Sequence, residues 1–275
     1  MRKKCYICHR PFVEVGIGLH NPNLCPACEE LNTQKRNQTS NLSGKVALVT
    51  GGRFNIGYEV SLKLLRAGAN TYITTRFPAD ATNRFSKESD FENWKENLHI
   101  IQCDFRNLRG VLEMIEWLRG SLPHLDILIN NAAQTIRRPY EYYRGLVDLE
   151  VKSQNILPSD LKTLIKFSEV DPSSEFERVQ TALDRLAGEK GNPNDFPIGE
   201  VDMNGWQLDL REKNTWNLEA PEISPIEFLE VQTVNSTVPF MLCSYLKDLF
   251  LRSPNKNKHS QRGSIGRRIF FLSTS

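Results

Sequence analysis

Residues 45–57 read KVALVTGGRFNIG and indicate the architecture of most of the chain. The apolar run at residues 46–49 is typical of a buried parallel strand, and Gly51 and Gly52 follow it at once. A helical pattern with apolar residues at steps of four begins at Ile56, and a second short strand comes after it. The segment therefore predicts the first strand–helix–strand unit of an α/β fold with a doubly wound parallel sheet. A glycine-rich turn that opens a helix also suits phosphate groups, because it exposes backbone N–H groups at the positive end of the helix dipole.

The composition indicates a folded protein, and the sequence contains no predicted membrane span. The chain has 275 residues, of which 39% are hydrophobic, and this is enough for a packed core and about two domains. Its 35 basic and 33 acidic side chains leave a net charge of +2, so nucleic acid is not a favoured partner. No stretch reaches the ~20 consecutive apolar residues of a membrane span, and the start MRKK leads into no apolar signal region. We therefore expect a cytoplasmic protein.

The N-terminal segment carries two C-x-x-C pairs with 16 residues between them. The cysteines are Cys5, Cys8, Cys25 and Cys28. This spacing is typical of structural zinc sites, in which each pair supplies two thiolates. We predict a zinc knuckle at residues 1–33, whose folding would depend on the metal, followed by a polar linker at 34–43. Four ordinary reduced cysteines are the alternative. A zinc knuckle is also a candidate site for a protein partner.

Four motifs, in the same order along the chain, resemble those of the short-chain dehydrogenase/reductase family. Residues 50–57 (TGGRFNIG) are similar to its fingerprint T-G-x-x-x-G-x-G, with Asn55 in place of the middle glycine. Asp104 ends a third strand, where the family's aspartate contacts adenine. Residues 130–133 (NNAA) follow a fourth strand, as the family's N-N-A-G motif does. Asn235 lies in a long helical pattern, as the family's catalytic asparagine does.

The resemblance implies a Rossmann-like domain at residues 44–275 that is C-terminally incomplete and carries an insertion at about 134–222. It also implies a dinucleotide cofactor and a small-molecule carbonyl or alcohol as substrate. The residues that match the family's cofactor contacts are Thr50, Gly51, Gly52, Arg53, Asn55, Ile56, Gly57, Thr75, Arg76, Asp104, Asn131 and Ala132.

The residues after the second strand favour NADP over NAD. An NAD enzyme of this type has a carboxylate there, about 20 residues beyond the glycines, which accepts a hydrogen bond from the ribose hydroxyl. This chain has Thr75 and then Arg76. A guanidinium attracts the 2′-phosphate of NADP, and no carboxylate repels it. Arg53 adds to the positive charge, and an ordinary solvated Arg76 is the alternative.

The resemblance implies catalytic roles for Asn235 and for a hydroxyl group near residue 275. Thr274 occupies the position of the family's catalytic hydroxyl, with Ser273 as the alternative. Pro239 lacks the N–H that would bond the carbonyl of Asn235 in a helix. The resembled family uses the corresponding carbonyl to hold a water molecule of its proton relay. The alternative is that the proline is merely tolerated at this position. The family's Tyr-x-x-x-Lys pair is missing, because none of the seven tyrosines has a lysine four residues on. We therefore expect this chain to be inactive in hydride transfer, or weaker than a longer form by a factor on the order of 10³.

The C-terminal residues predict an open sheet edge. Residues 253–268 have the character of a loop, and the apolar run at 268–273 is typical of a fifth strand. The sequence stops at Ser275, so we expect a truncated sheet. An uncovered edge invites pairing with another chain and is a second candidate partner site.

Residues 134–222 have no counterpart in the simplest members of the family. Helix-like runs occupy 161–167 and 176–186. The insertion follows the fourth strand at the carboxyl edge of the sheet, so it either caps the substrate side or forms bland surface. Arg137 and Arg138 either meet an anionic substrate or are solvated. Two functions stay open: an NADP-dependent oxidoreductase, and a catalytically silent dinucleotide-binding scaffold that interacts through its zinc knuckle.

Overall fold

The structure, a computed structural model, divides the chain into two compact units, Met1–Asn41 and Leu42–Ser275. The residues that it describes are 2–13, 23–167, 172–188, 191–202, 205–214, 217–255 and 259–262. Each unit has its own secondary structure and its own buried core.

The N-terminal unit is a small antiparallel hairpin followed by a helix. Its elements are β1 (Arg2–Lys4), β2 (Pro11–Val13) and α1 (Pro26–Arg36). Lys3 lies opposite Phe12 in the hairpin. The helix begins with a proline, which suits the first turn because the missing N–H has no intrahelical partner there. It extends to Arg36, three residues into the segment predicted to be a linker.

The larger unit is built on a six-stranded parallel sheet, which confirms the predicted fold class. Its strands are β3 (Val46–Thr50), β4 (Asn70–Thr75), β5 (Leu98–Gln102), β6 (Ile127–Asn130), β7 (Ile165–Phe167) and β8 (His259–Arg262). Their order across the sheet is β7-β5-β4-β3-β6-β8. The chain reverses direction across the sheet between β3 and β6, and such switch points are where doubly wound folds bind ligands.

Helices connect these strands. They are α2 (Asn55–Arg66), α3 (Pro78–Phe85), α4 (Leu108–Ser121), α5 (Tyr140–Ile156), α6 (Ser159–Lys162), α7 (Pro172–Ala187), α8 (Pro225–Gln232), α9 (Val238–Tyr245) and α10 (Lys247–Arg252). A single π-helical segment, Thr233–Thr237, joins α8 to α9. Short 3-10 turns occur at Phe91–Asn93, Lys95–Asn97, Pro193–Asp195 and Ala220–Glu222.

The central strand β3 contributes to two cores. Val46 and Leu48 pack in the cluster that α4 and α9 line, whereas Ala47 and Val49 pack in the cluster that α2 lines. All four are buried. Successive side chains of a strand point to opposite faces of the sheet. An unbroken apolar run is therefore what a strand covered by helices on both faces requires.

Two sequence predictions in this unit are wrong. Residues 161–167, expected to be helix-like, include the end of α6 and all of β7, which pairs with the outer edge of β5. Residues 253–268, expected to be a loop, include β8, which pairs with β6. Both strands are short and take their hydrogen bonds from an existing sheet edge, so no local periodicity identifies them. The helix expected at 176–186 is confirmed within α7.

The fifth strand was expected at residues 268–273, which lie outside the described residues. In the described residues, the strand that follows β6 in the sheet order is β8. None of the helices in the described ranges has the length and apolar character needed to cross a lipid bilayer.

Candidate functional site

The glycine turn after β3 is closed by the asparagine motif after β6. The Nδ2 group of Asn131 donates to the carbonyl oxygens of Thr50 (3.1 Å) and Gly51 (3.2 Å). The N–H of Ala132 donates to Thr50 Oγ1 at 2.9 Å. The N–H of Gly51 is 3.3 Å from Oγ1 of Thr74, on the neighbouring strand β4. Three adjacent strands that end at one edge of the sheet thus hold the turn in a single shape.

The backbone of this turn passes too close to its neighbours for side chains. A Cβ atom on Gly57 would lie 2.2 Å from the carbonyl oxygen of Gly51, and one on Gly52 would lie 2.6 Å from Cβ of Ile73. Gly51 has a φ of +67° and Asn55 a φ of 49°. This left-handed region is open to glycine and better tolerated by asparagine than by most residues. Asn55 therefore takes the backbone conformation of a glycine, and only glycine fits at positions 52 and 57, where the turn and the first turn of α2 pack closely. The start of such a helix suits a phosphate group.

Positive side chains gather at the carboxyl end of β4. Arg76 comes directly after the strand, and its Cζ lies 4.8 Å from the ring centre of Tyr143 and 5.3 Å from that of Phe176. Within the described ranges Arg76 forms no ion pair with a carboxylate. Arg53, in the glycine turn, pairs with Asp80 at 2.7 Å. This end of β4 therefore holds a half-buried guanidinium that an anionic ligand group could neutralise.

Asn235 is fastened to the loop that follows β6. Its Oδ1 accepts from the N–H of Gln134 at 2.8 Å, and its Nδ2 donates to the carbonyl of Gln134 at 2.7 Å. Asn235 lies in the π-helical segment, where the N–H of Val238 bonds the carbonyl of Thr233, five residues earlier. The α-helical alternative is not open to the next residue, Pro239, since it has no N–H to offer the carbonyl of Asn235. A π-turn of this kind is common at functional sites.

Comparison with known proteins agrees with this geometry. The family model for short chain dehydrogenases matches residues 45–146. An uncharacterized protein of Acanthamoeba polyphaga mimivirus is 29% identical over 253 residues, which cover 89% of this chain and 49% of that protein. An uncharacterized oxidoreductase of Mycobacterium bovis is 32% identical over 135 residues, 49% of this chain and 40% of that protein. The 2-dehydro-3-deoxy-D-gluconate 5-dehydrogenase of Pseudoalteromonas atlantica is 31% identical over 125 residues, 44% of this chain and 48% of that protein.

Residues 45–146, which this family model matches, form a Rossmann-like α/β fold. The chain spans about half the length of these curated relatives, or less. Among solved structures, the RhlG/NADP complex of Pseudomonas aeruginosa aligns with 84% of this chain and 60% of its own, at 16% identity and a TM-score of 0.42. A short chain dehydrogenase of Escherichia coli CFT073 complexed with NADPH aligns with 82% of this chain and 60% of its own, at 14% identity and a TM-score of 0.46.

Two of the expected cofactor contacts in this Rossmann-like fold have partners inside the protein. Asp104 is buried, and its Oδ2 accepts from Nη2 of Arg106 at 2.6 Å. Burial raises the pKa of Asp104, but the charge of Arg106 outweighs this and leaves the pKa below its usual value. Thr75 is also buried, and its Oγ1 accepts from the N–H of Phe77 at 3.1 Å. Both side chains therefore stabilise the ends of their strands in this structure.

Buried charges join the start of the insertion to α7 and α8. The guanidinium of Arg137 pairs with Asp184 of α7, and its Nε lies 3.2 Å from Glu230 of α8. Only 2% of the Arg137 side chain is exposed. The expectation that the arginine pair of this loop is solvated is therefore wrong for Arg137, because both partners are acidic groups that are far away in sequence. Arg138 lies over the ring of Tyr142, 4.4 Å from its centre.

The N-terminal unit brings its four paired cysteines together. Their Sγ atoms all lie within 4.8 Å of one another, and those of Cys8 and Cys25 are 3.7 Å apart. No disulfide joins them. Four thiols at this spacing, two from each C-x-x-C turn, have the chemistry and crowding of a tetrahedral zinc centre. The donor set therefore fits the metal that the sequence predicts.

The remaining site predictions have mixed outcomes. Asn55 and Ile56 are exposed at the start of α2. Ser273 and Thr274 lie outside the described residues. Sequence reasoning missed the groups that orient the others, namely Thr74, Arg106, Gln134, Tyr143 and Glu150. Arg106 has a near partner in Asp104, two residues away. The other partners are distant in the chain, and for them only the spacing of Tyr143 and Glu150 on one helical face is visible in the sequence.

Proposed function

We propose that this chain binds NADP and belongs to an oxidoreductase of the short-chain type that transfers hydride to or from a carbonyl or alcohol. The observation that carries the proposal is the glycine turn, which Asn131 closes and in which Gly57 has no space for a Cβ. The N–H groups of Gly51 and Gly52 are bonded to Thr74, so the first turn of α2, with its N–H groups and helix dipole, would face the diphosphate. Relatives that are named oxidoreductases lend support.

The end of β4 supports NADP in preference to NAD. Thr75 stands where an NAD enzyme needs a carboxylate, and its hydroxyl is already used by the backbone of Phe77. Arg76 follows, with no carboxylate partner in the described part of the chain. Its guanidinium can meet the ribose 2′-phosphate with two parallel hydrogen bonds. Residues 50–57, Arg53 and Arg76 would thus hold the cofactor, which supplies or accepts the hydride when bound.

The chain's own residues would position the reaction and do little of its proton chemistry. The two hydrogen bonds between Asn235 and Gln134 form a clamp that fixes the π-turn. We expect this turn to lie near the nicotinamide of the bound cofactor. A tyrosine with a lysine four residues on, which lowers the phenol pKa from about 10 in this family, does not occur in the sequence. We therefore propose that the 275-residue chain alone transfers hydride weakly or not at all.

A catalytically silent dinucleotide-binding scaffold is the second candidate. Asp104, which would contact adenine in an active family member, is engaged by Arg106. The zinc knuckle at Cys5, Cys8, Cys25 and Cys28, whose donor set fits the metal, would then serve partner binding. Both candidates share the dinucleotide site and the structural zinc.

Binding and turnover by the same preparation separate the candidates. NADPH and NADH are titrated into the purified chain, and NADPH oxidation is then followed with a panel of ketones, aldehydes and quinones. Saturable NADPH binding supports the dinucleotide site, and its failure refutes both candidates. Slow turnover that Asn235→Ala abolishes supports the oxidoreductase, whereas binding without turnover supports the scaffold. Fast, clean turnover would contradict the proposed impairment.

A further inference from the structure

One face of α5, a helix of the insertion, packs against the start of α3. Tyr143, Val147 and Glu150 lie four and three residues apart, which puts them on one side of the helix, and all three are buried. Glu150 accepts hydrogen bonds from the N–H groups of Ala79 (2.7 Å) and Asp80 (2.9 Å). These N–H groups belong to the first turn of α3, where a carboxylate is favoured. The two hydrogen bonds to the Glu150 side chain therefore fix the position of α5 along the axis of α3.

This register brings Tyr143 onto Arg76. The Cζ atom of Arg76 lies 4.8 Å from the ring centre of Tyr143, 5.3 Å from that of Phe176 in α7 and 5.7 Å from that of Phe77. Aromatic rings attract the flat faces of a guanidinium, so its in-plane N–H groups stay available for an anion. The one hydrogen bond that the described residues offer Arg76 is a long one, 3.5 Å from Nη2 to the hydroxyl of Tyr143.

The charged groups around Arg76 have both signs. Arg106 lies with it beside Tyr143, and the charge of Arg76 adds to that of Arg106 in lowering the pKa of Asp104. Asp80 is shared by Arg53, in the glycine turn, and Arg84, both at 2.7 Å. Burial raises the pKa of Tyr143, but the charges of Arg76 and two other arginines outweigh this and lower the pKa below its usual value. A phenol that is held toward its ionised form reports an environment that favours negative charge.

We propose that the insertion selects the cofactor: Tyr143 and Phe176 are positioning residues that hold the guanidinium of Arg76 for the ribose 2′-phosphate of NADP. This inference rests on the proposed function and adds what the glycine turn and Arg76 alone do not specify. A free arginine loses rotamer freedom when it binds a phosphate, whereas one already held against aromatic rings has lost part of it beforehand. Removing the rings should therefore weaken NADP and leave NAD unaffected.

The test measures selectivity rather than activity. Adenosine 2′,5′-bisphosphate and AMP, which differ by the 2′-phosphate alone, are titrated by calorimetry into the full chain, followed by NADPH and NADH. The variants are Phe176→Leu, Tyr143→Leu, Arg76→Ala and the double variant Phe176→Leu/Arg76→Ala. Phe196→Leu is the matched control, because Phe196 is a buried ring of the same cluster that lies against Arg211 instead. Circular dichroism monitors folding.

We expect Phe176→Leu and Tyr143→Leu to weaken the bisphosphate and NADPH about tenfold, with AMP and NADH unchanged. In the Arg76→Ala background the Phe176 substitution should have no further effect, and the control should keep its selectivity. An equal loss of affinity for ligands with and without the 2′-phosphate would overturn the inference while leaving dinucleotide binding intact. So would an effect of the Phe176 substitution that persists in the Arg76→Ala background. No binding of any ligand by the wild-type chain would instead refute the proposed function. If the leucine variants do not fold, Tyr143→Phe, which keeps the ring, must retain selectivity, and its loss would also overturn the inference.

Discussion

The side-chain amide of Asn235 and the backbone amide of Gln134 form two reciprocal hydrogen bonds, of 2.8 and 2.7 Å. The pair joins the π-turn between α8 and α9 to the loop that leaves β6. The amide of asparagine accepts through its oxygen and donates through its nitrogen, which a carboxylate cannot do. The geometry therefore accounts for asparagine at position 235 without reference to catalysis.

Asn235→Asp should destabilise the chain. The aspartate can still accept from the N–H of Gln134, but it loses the donor and presents a negative oxygen to a carbonyl. We expect a loss of about 2 kcal/mol in the free energy of unfolding, measured by urea denaturation. Asn155→Asp is the control, because Asn155 is exposed and donates only to Val151 within α5. An equal effect of the two substitutions would contradict the role given to the clamp.

Gly57→Ala should damage the glycine turn. The added Cβ would lie 2.2 Å from the carbonyl oxygen of Gly51 and 2.4 Å from Nδ2 of Asn131. The Gly51 oxygen belongs to the backbone, so relieving this clash would distort the turn. We expect a loss of about 3 kcal/mol in stability and of measurable dinucleotide binding. Gly120→Ala is the matched control, because a Cβ there has nothing within 4 Å and alanine favours the helix by ~1 kcal/mol. Unchanged binding by Gly57→Ala would place the cofactor elsewhere.

Asp126 should make stability depend on acid pH. It is fully buried and accepts from the N–H of Val46 (2.8 Å) and from Ser253 (2.5 Å). Burial raises its pKa, but these hydrogen bonds outweigh that and keep the pKa below its usual value. The stabilisation is thus present above the unfolded pKa of about 3.9 and is lost as the pH falls through the lower folded pKa.

Asp126→Ala should cost about 3 kcal/mol at pH 7 and flatten the loss of stability between pH ~5 and ~2. Chemical denaturation at several pH values measures both effects. Asp248→Ala is the control, because that side chain is 65% exposed. A variant that loses stability with acid as steeply as the wild type would show that other carboxylates control the response.

Strands inside the sheet were predictable because their apolar runs are local. Residues 46–49 and the third and fourth strands were recognised from such runs, and the structure has them as β3, β5 and β6. The outer strands were not recognised, since β7 and β8 are three and four residues long and are defined by the edges that they join. Each of these edges belongs to a strand, β5 or β6, that is distant in the sequence from the strand that joins it.

The site was predictable where a motif is local or belongs to the family. The glycine turn and the asparagine motif meet as the carboxyl ends of neighbouring parallel strands must. The contact between Arg76 and Tyr143 joins residues 67 positions apart, and it depends on how Glu150 registers α5 on α3. The pairing of Asp104 with Arg106 was within reach of the sequence, but the resemblance assigned that aspartate to adenine.

The four N-terminal cysteines should bind one zinc ion per chain. Their Sγ atoms lie within 4.8 Å of one another, and a unit this small gains most of its stability from a metal. Elemental analysis of protein purified without added zinc should give about one equivalent, and Cys5→Ser should lose it. Cys243→Ser, which changes a cysteine of the other unit, should not. Less than about 0.2 equivalents in the wild type, with no effect of chelator on folding, would contradict the zinc centre.

The most direct test of the account is a side-by-side titration of the 275-residue chain with NADPH and NADH, by calorimetry, for the wild type and for Thr75→Asp/Arg76→Ala. The double variant supplies the carboxylate that holds the ribose hydroxyl of NAD and removes the cation that faces the 2′-phosphate. We predict that the wild type binds NADPH at least about tenfold more tightly than NADH, and that the variant reverses this preference. A wild-type preference for NADH, or binding of neither dinucleotide, would contradict the account.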